Sequence, residues 1–67
     1  MDIEISPMDI RPGDVLSDPR TEWEVLAPPF STGTGRFVHA RVQKVGQPDW
    51  TELRTWEAHE RLRVRRG

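Results

Sequence analysis

The sequence predicts a small all-β protein, and three observations carry this prediction. The chain has 67 residues, a length that supports one domain with a single core. Turn signals containing proline or glycine divide it into segments of about five to ten residues, which is the length of a strand. Four of these segments alternate polar and apolar residues, as strands with one buried face do: 2–5, 22–25, 38–43 and 61–65.

The elements follow from these signals in chain order. Six strands are predicted, over residues 2–5, 14–17, 22–27, 36–45, 51–55 and 61–65. The Asp18–Pro19 signal separates the second strand from the third, and residues 28–35, with two prolines and two glycines, are predicted to form a long loop. Residues 46–49 are predicted to close a hairpin, and a single helical turn is predicted at 57–60.

One segment also fits a helix. Asp49 and Glu52 are spaced as in a capping box, and Trp50, Leu53 and Trp56 recur every three residues. A helix over residues 49–60 is therefore the alternative to a strand at 51–55. The strand is favoured because its alternate residues suit one strand face and because the ten-residue strand before it needs a partner.

Charge and composition limit the classes of protein to which this chain can belong. The net charge of −1 combines an acidic start (seven acids and two arginines in residues 1–24) with a basic end (eight bases and four acids in residues 36–67). The longest uncharged stretch, residues 25–35, contains two prolines and two glycines and cannot span a membrane. With no cysteine and an acidic start unlike a signal peptide, we expect a cytoplasmic protein. Nine of its ten basic residues are arginine, which is typical of GC-rich bacterial, plasmid or phage genomes.

Two stretches carry a resemblance to known small barrels. Residues 11–16, Arg-Pro-Gly-Asp-Val-Leu, are similar to the turn, Gly-Asp pair and hydrophobic strand that open KOW and related barrels. Residues 55–64 resemble the strand, one-turn helix and strand that close such barrels, including type II dihydrofolate reductase. The resemblance implies that residues 1–67 form one SH3-like small barrel of five to six short antiparallel strands, with one short helical turn near residues 57–60. The reductase family's active pore needs a Gln-Ile-Tyr-type strand, whereas residues 53–55 here read Leu-Arg-Thr, so its activity is not carried over.

The same resemblance implies that the two chain ends meet, because SH3-like barrels bring their termini together. The first strand is then expected to pair with the last in an antiparallel register that turns four aliphatic side chains inward and matches opposite charges outside. In this register Ile3 faces Val64, Ile5 faces Leu62, Asp2 faces Arg65, and Glu4 faces Arg63.

No catalytic, metal-binding or cofactor-binding motif is present. The two histidines, His39 and His59, lie in different predicted elements without cysteine partners, and no serine lies in a nucleophile elbow. The glycine-containing stretch 32–36 lacks the lysine of a phosphate-binding loop. We therefore expect a protein that is not an enzyme and that takes no cofactor.

The remaining candidates point to binding. Alternation places Arg61, Arg63 and Arg65 on one strand face, followed by Arg66. Trp23 and Trp56 are predicted to be core residues, whereas Trp50 and Phe30 are predicted to be exposed. The first hypothesis is a non-catalytic module for protein–protein interaction or self-association, using the apolar stretch 26–30. The alternative is a nucleic-acid-binding accessory protein that uses the arginines and an exposed tryptophan. The candidate contact residues are Arg61, Arg63, Arg65, Arg66, Trp50 and Phe30.

Overall fold

The alternating segments form seven antiparallel strands in a computed structural model, which describes residues 1–17 and 20–66. The predicted turn at Asp18–Pro19 and the last residue, Gly67, lie outside the described residues. The strands are β1 (Asp2–Ile5), β2 (Val15–Ser17), β3 (Glu22–Val25), β4 (Phe30–Thr32), β5 (Phe37–Lys44), β6 (Gln47–Glu57) and β7 (Leu62–Arg65).

All seven strands belong to one curled sheet, which confirms the predicted all-β class. The hydrogen-bonded order is β1-β7-β2-β3-β5, and β6 pairs with β5 on the side opposite β3. Strands β3 and β4 both pair with the other side of β5, one after the other, so together they act as one strand interrupted by residues 26–29. The sheet curls into a half-barrel, in agreement with a small all-β barrel.

The predicted pairing of the chain ends is confirmed residue by residue. Strand β1 is antiparallel to β7, with Ile3 opposite Val64 and Ile5 opposite Leu62. The charged partners also fall in the expected register, Asp2 opposite Arg65 and Glu4 opposite Arg63. Because the side-chain period of a strand is two, this register sends every aliphatic residue of both strands to the concave face.

The core fills the concave face of the sheet. Val38, Ala40 and Val42 of β5 are fully buried, as is Val64 of β7. Trp23 and Trp56 are both buried, which confirms their predicted place in the core. A short chain has few residues to bury, so these two large rings supply much of the apolar surface that the sheet removes from water.

The loop predicted at residues 28–35 is wrong in its middle, because residues 30–32 form β4. Phe30 pairs with His39 and Thr32 pairs with Phe37. Strand β5 is eight residues long and β3 covers only its last three, so β4 supplies partners for peptide groups that β3 leaves free. Gly33 and Gly35 lie in the turn that follows, both with positive φ.

The single helical turn predicted at 57–60 is wrong, and so is the helical alternative over residues 49–60. Residues 47–57 form one strand, which confirms the favoured strand at 51–55, because β6 supplies partners for backbone groups of β5 that a helix there would leave unpaired. Residues 57–60 form a β-turn closed by the Glu60 N–H and the Glu57 carbonyl (3.0 Å), without a helix. The helix in the described residues is the single 3₁₀ turn Pro7–Asp9, and none there is long and apolar enough to cross a membrane.

The hairpin before β6 is tighter than predicted. Lys44 pairs with Gln47, so the connection is the two residues Val45 and Gly46 rather than residues 46–49. Gly46 has φ +84°, a conformation that glycine adopts without strain. The pairing then jumps from Lys44–Gln47 to Gln43–Thr51, so residues 48–50 bulge out of the ladder at the start of β6.

Candidate functional site

The arginines of β7 are largely taken up by ion pairs within the chain. Arg63 meets Glu4 at 3.6 Å, the partner that the strand register predicts. Arg65 instead reaches across β2 to Glu22 of β3, at 3.1 Å, because β2 lies directly beside β7 and the arginine side chain is long enough to span it. Arg61 is exposed and makes no ion pair with any described residue. The row of arginines is therefore mostly neutralised at the surface.

Arg66 has a structural role. Its Nε and Nη2 donate to the two carboxylate oxygens of Asp14, at 2.9 and 2.6 Å, and Nη2 also donates to the Asp9 carbonyl at 3.1 Å. The Arg11 backbone N–H donates to the same carboxylate at 2.9 Å. Arg66 is the main reason that the pKa of Asp14 lies below its ordinary value, and Arg11 adds to this while burial opposes it. This bond ties the C-terminal end to the turn before β2.

Trp50 is half exposed, as predicted, and lies at the bulged start of β6. The Lys44 ammonium is 4.5 Å from the centre of its ring, a cation–π contact across the hairpin. Three strands lie between β6 and β7 in the order of the sheet, namely β2, β3 and β5. Trp50 of β6 and the arginines of β7 are therefore not on neighbouring strands.

Phe30 lies on the convex face of the sheet, where it stacks on His39 with ring centres 5.1 Å apart. His39 also contacts the hydroxyls of Thr32 (2.6 Å) and Thr55 (2.9 Å), one through each ring nitrogen. The histidine thus links β4, β5 and β6, and both of its nitrogens are occupied. In the described part of the chain, no group of three or more histidine, aspartate or glutamate side chains is arranged to hold a metal ion.

An apolar surface surrounds this histidine. Strand pairing places Phe30, Phe37 and Leu53 on the same convex face, and each is between one third and one half exposed. We call these three residues the convex patch. One of these exposed side chains, Leu53, was not considered from the sequence as a contact residue. The signal that could have identified Leu53 is its position between Thr51 and Thr55 in a strand whose other face carries Trp56.

The outer edge of β6 carries unpaired backbone groups. Ala58 donates its N–H to the Arg36 carbonyl (2.8 Å), in line with the register of β5 and β6. Hydrogen-bonded and non-hydrogen-bonded pairs alternate in an antiparallel ladder, so the even-numbered residues 52, 54 and 56 bond to β5. The odd-numbered residues direct their N–H and C=O groups outward, away from β5: Thr51, Leu53, Thr55 and Glu57.

Two other hydrogen bonds agree with this alternation of inward-directed and outward-directed residues. Leu26 donates to the Arg41 carbonyl (2.8 Å), so Arg41, the partner of Leu53, points its carbonyl away from β6. The outward N–H of Glu57 donates to the Glu60 carboxylate at 2.6 Å. Glu60 thus closes the C-terminal end of this edge, and the bulge containing Pro48 closes the other. Thr51, Leu53 and Thr55 remain, and no backbone hydrogen bond from the described residues reaches their outward groups. We call these three residues the free edge.

The concave side of the same strand is charged. Glu52 and Arg54 alternate with the free-edge residues and form an ion pair at 3.5 Å, with both side chains partly exposed. The Arg54 guanidinium also lies over the Trp23 ring, 5.5 Å from its centre. Beyond them on this side lie the exposed Trp50 and the buried Trp56. The strand therefore presents an apolar and threonine-rich convex side and a charged concave side.

Comparisons of the chain with models of protein families, with curated proteins and with solved structures find no match.

Proposed function

We propose that this protein is a non-catalytic protein-interaction module that binds its partner by strand addition at β6. The observation that carries this proposal is the free edge, where Thr51, Leu53 and Thr55 present three N–H and three C=O groups in strand geometry. A strand edge of this kind is a template for another strand, because the added strand satisfies both sets of backbone groups at once. The proposal places the module in the cytoplasm, consistent with a chain that has no cysteine.

The side chains around the edge support binding to protein. Leu53 belongs both to the free edge and to the convex patch, so an added strand would lie directly beside the exposed apolar surface. Backbone bonds contribute affinity that does not depend on sequence, and neighbouring side chains select the partner. Leu53 on one side and the Glu52–Arg54 pair on the other supply such selection.

The nucleic-acid alternative has less support. Arg63, Arg65 and Arg66 each hold a carboxylate of this chain, and phosphate would have to displace those partners. The overall charge of −1 also provides no long-range attraction to a polyanion. Titration with single- and double-stranded DNA and RNA at low salt decides this alternative. Tight binding that falls steeply with salt and is lost when Arg61 and Arg63 become alanine would favour it over the strand-addition proposal.

The proposed function is tested with a matched pair of immobilised baits, the wild-type chain and Leu53→Pro. Proline removes one outward N–H, which the monomer does not use, and therefore blocks strand addition while leaving the ladder with β5 intact. We expect proteins retained by the wild type to be lost from the proline variant and kept by Val45→Ala, a change at an exposed turn residue. Equal retention by all three baits would contradict the proposal.

A further inference from the structure

We propose that the partner at the free edge is a second copy of this chain, bound through antiparallel pairing of two β6 strands across a two-fold axis at Leu53. This inference rests on the proposed function and names its partner and register. It follows from three properties of β6. These are which of its residues direct their backbone groups outward, where the bulge and the Glu60 contact end the free edge, and the sequence positions of its charged residues.

The hydrogen-bonding groups of the edge are symmetric about Leu53. In a two-fold antiparallel pair, Leu53 faces Leu53 of the second copy, and Thr51 faces Thr55. All three of these residues direct their backbone groups outward, so every facing pair is of the hydrogen-bonded kind. The free edge of each copy is then used completely, and no outward N–H or C=O among these residues is left without a partner.

The side chains select the same register. On the concave side, centring the axis on Leu53 sets Glu52 of each copy opposite Arg54 of the other. With the ion pair that each chain already makes, the four charges alternate in sign. On the convex side, leucine meets leucine and threonine meets threonine. Each of these is a favourable cross-strand combination.

The neighbouring registers lose both the complete set of backbone hydrogen bonds and the favourable side-chain pairs. An axis at Glu52 sets two glutamates opposite each other, and an axis at Arg54 sets two arginines opposite each other, which is destabilising in both cases. The first of these shifts also brings Thr55 against the bulge, and the second brings Thr51 against Glu57, whose outward N–H is already bound by Glu60. An axis between residues would pair outward-directed groups with inward-directed ones and reverse the faces.

The features that close the edge explain why pairing would stop at a dimer. Pro48 and the bulge at one end, and Glu60 at the other, limit the ladder to residues that lie symmetrically around Leu53. Charged residues on an edge strand normally deter pairing with other strands. Here the order Glu52, Leu53, Arg54 deters most sequences and complements its own reverse.

The register is tested by cross-linking, which the chain suits because it has no cysteine. Facing residues of a hydrogen-bonded pair have Cα atoms about 5.5 Å apart, within the range that a disulfide spans. We therefore expect Leu53→Cys to give a disulfide-linked dimer under mild oxidation. Thr51→Cys alone should not, because its own counterpart would lie about 13 Å away along the strand. A mixture of Thr51→Cys and Thr55→Cys should cross-link again. Val45→Cys, at an exposed turn, is the control for random collision.

A second experiment uses charge and does not depend on a cysteine. Glu52→Arg places two arginines opposite each other in the proposed dimer, and Arg54→Glu places two glutamates opposite each other. We expect each variant alone to run as a monomer of 7.8 kDa in light scattering, and an equimolar mixture of the two to recover the doubled mass of the wild type. Circular dichroism of each variant verifies that it is folded before the masses are compared.

The outcomes separate this inference from the proposed function. A wild-type chain that stays at 7.8 kDa at protein concentrations up to about 1 mM overturns the dimer. So does Leu53→Cys cross-linking no faster than Val45→Cys, or the formation of species larger than dimers, as head-to-tail pairing of β1 with β6 would produce. If the chain is monomeric and the wild-type bait still retains a protein that Leu53→Pro loses, the proposed function stands and only its second-copy form fails.

Discussion

Arg66 holds the carboxylate of Asp14 with two of its guanidinium nitrogens, Nε on one oxygen at 2.9 Å and Nη2 on the other at 2.6 Å. Asp14 is the buried polar residue of the described chain, only 3% exposed. Its backbone also pairs with Val25 and with Arg11, so the carboxylate stands at the junction of the first turn, β3 and the C-terminal end. A residue that looks like part of a basic binding strand in the sequence is here the partner of a buried charge.

The first prediction concerns this pair. Asp14→Asn should lower the free energy of unfolding by about 2 kcal/mol, because it replaces charge-assisted hydrogen bonds with weaker ones and leaves Arg66 without its counter-charge. Urea unfolding followed by tryptophan fluorescence measures this. Asp2→Asn is the control, since Asp2 is exposed and should change the free energy of unfolding by less than about 0.5 kcal/mol. Similar losses for both variants would show that the bidentate contact contributes no special stability.

The second prediction is the pH dependence of the same contact. The pKa of folded Asp14 lies below its ordinary value of 3.8, chiefly because Arg66 bonds to the ionised form. A lowered folded pKa contributes stability that is fully present above the unfolded pKa and is lost as pH falls through the folded pKa. The stability difference between wild type and Asp14→Asn should therefore be constant from neutral pH down to about pH 5 and shrink in stronger acid. Urea titrations at several pH values test this, and a difference that persists at the lowest pH would contradict it.

The third prediction tests the core with a matched pair of valines. Val64 is fully buried between β1 and β2, whereas Val45 is 44% exposed in the tight turn before β6. Val64→Ala should lower the free energy of unfolding by about 2 kcal/mol, because apolar burial is lost and a cavity remains. Val45→Ala should lower the free energy of unfolding by less than about 0.5 kcal/mol. Thermal unfolding of the two variants gives the comparison, and equal melting temperatures would mean that Val64 does not pack as described.

The fourth prediction tests the hydrogen-bond phase of β6 independently of any partner. The Arg54 N–H is directed at β5 and the Leu53 N–H is directed outward. At low protein concentration, Arg54→Pro should therefore lower the free energy of unfolding by about 3 kcal/mol or prevent folding. Leu53→Pro should lower the free energy of unfolding by less than about 1 kcal/mol. Hydrogen exchange of wild-type amides gives a second reading, in which Arg54 is protected and Leu53 exchanges quickly in the dilute monomer. The reverse order would remove the basis of the free edge.

Alternation of polar and apolar residues was enough to predict four of the seven strands. The pairing of β1 with β7 was expected from the resemblance to SH3-like barrels, whose chain ends meet, and the observed register pairs all four residues of each strand with the aliphatic side chains inside. The burial of Trp23 and Trp56 and the exposure of Trp50 and Phe30 were likewise predictable from their neighbours. Strand β4 was not, since two prolines and two glycines surround residues 30–32 and the need of β5 for a partner there is not a local property.

The candidate site divides in the same way. The sequence by itself determined a small all-β chain in which acids of the first half balance arginines of the second, because composition and period are local quantities. Only the tertiary structure decided which acid each arginine meets, with Arg65 on Glu22 and Arg66 on Asp14, since these pairs depend on which strands become neighbours. It also decided that β6 ends the sheet and which of its peptide groups point outward. Which peptide groups point outward depends on which residue pairs of the β5–β6 ladder are hydrogen-bonded, and this cannot be predicted from residue type.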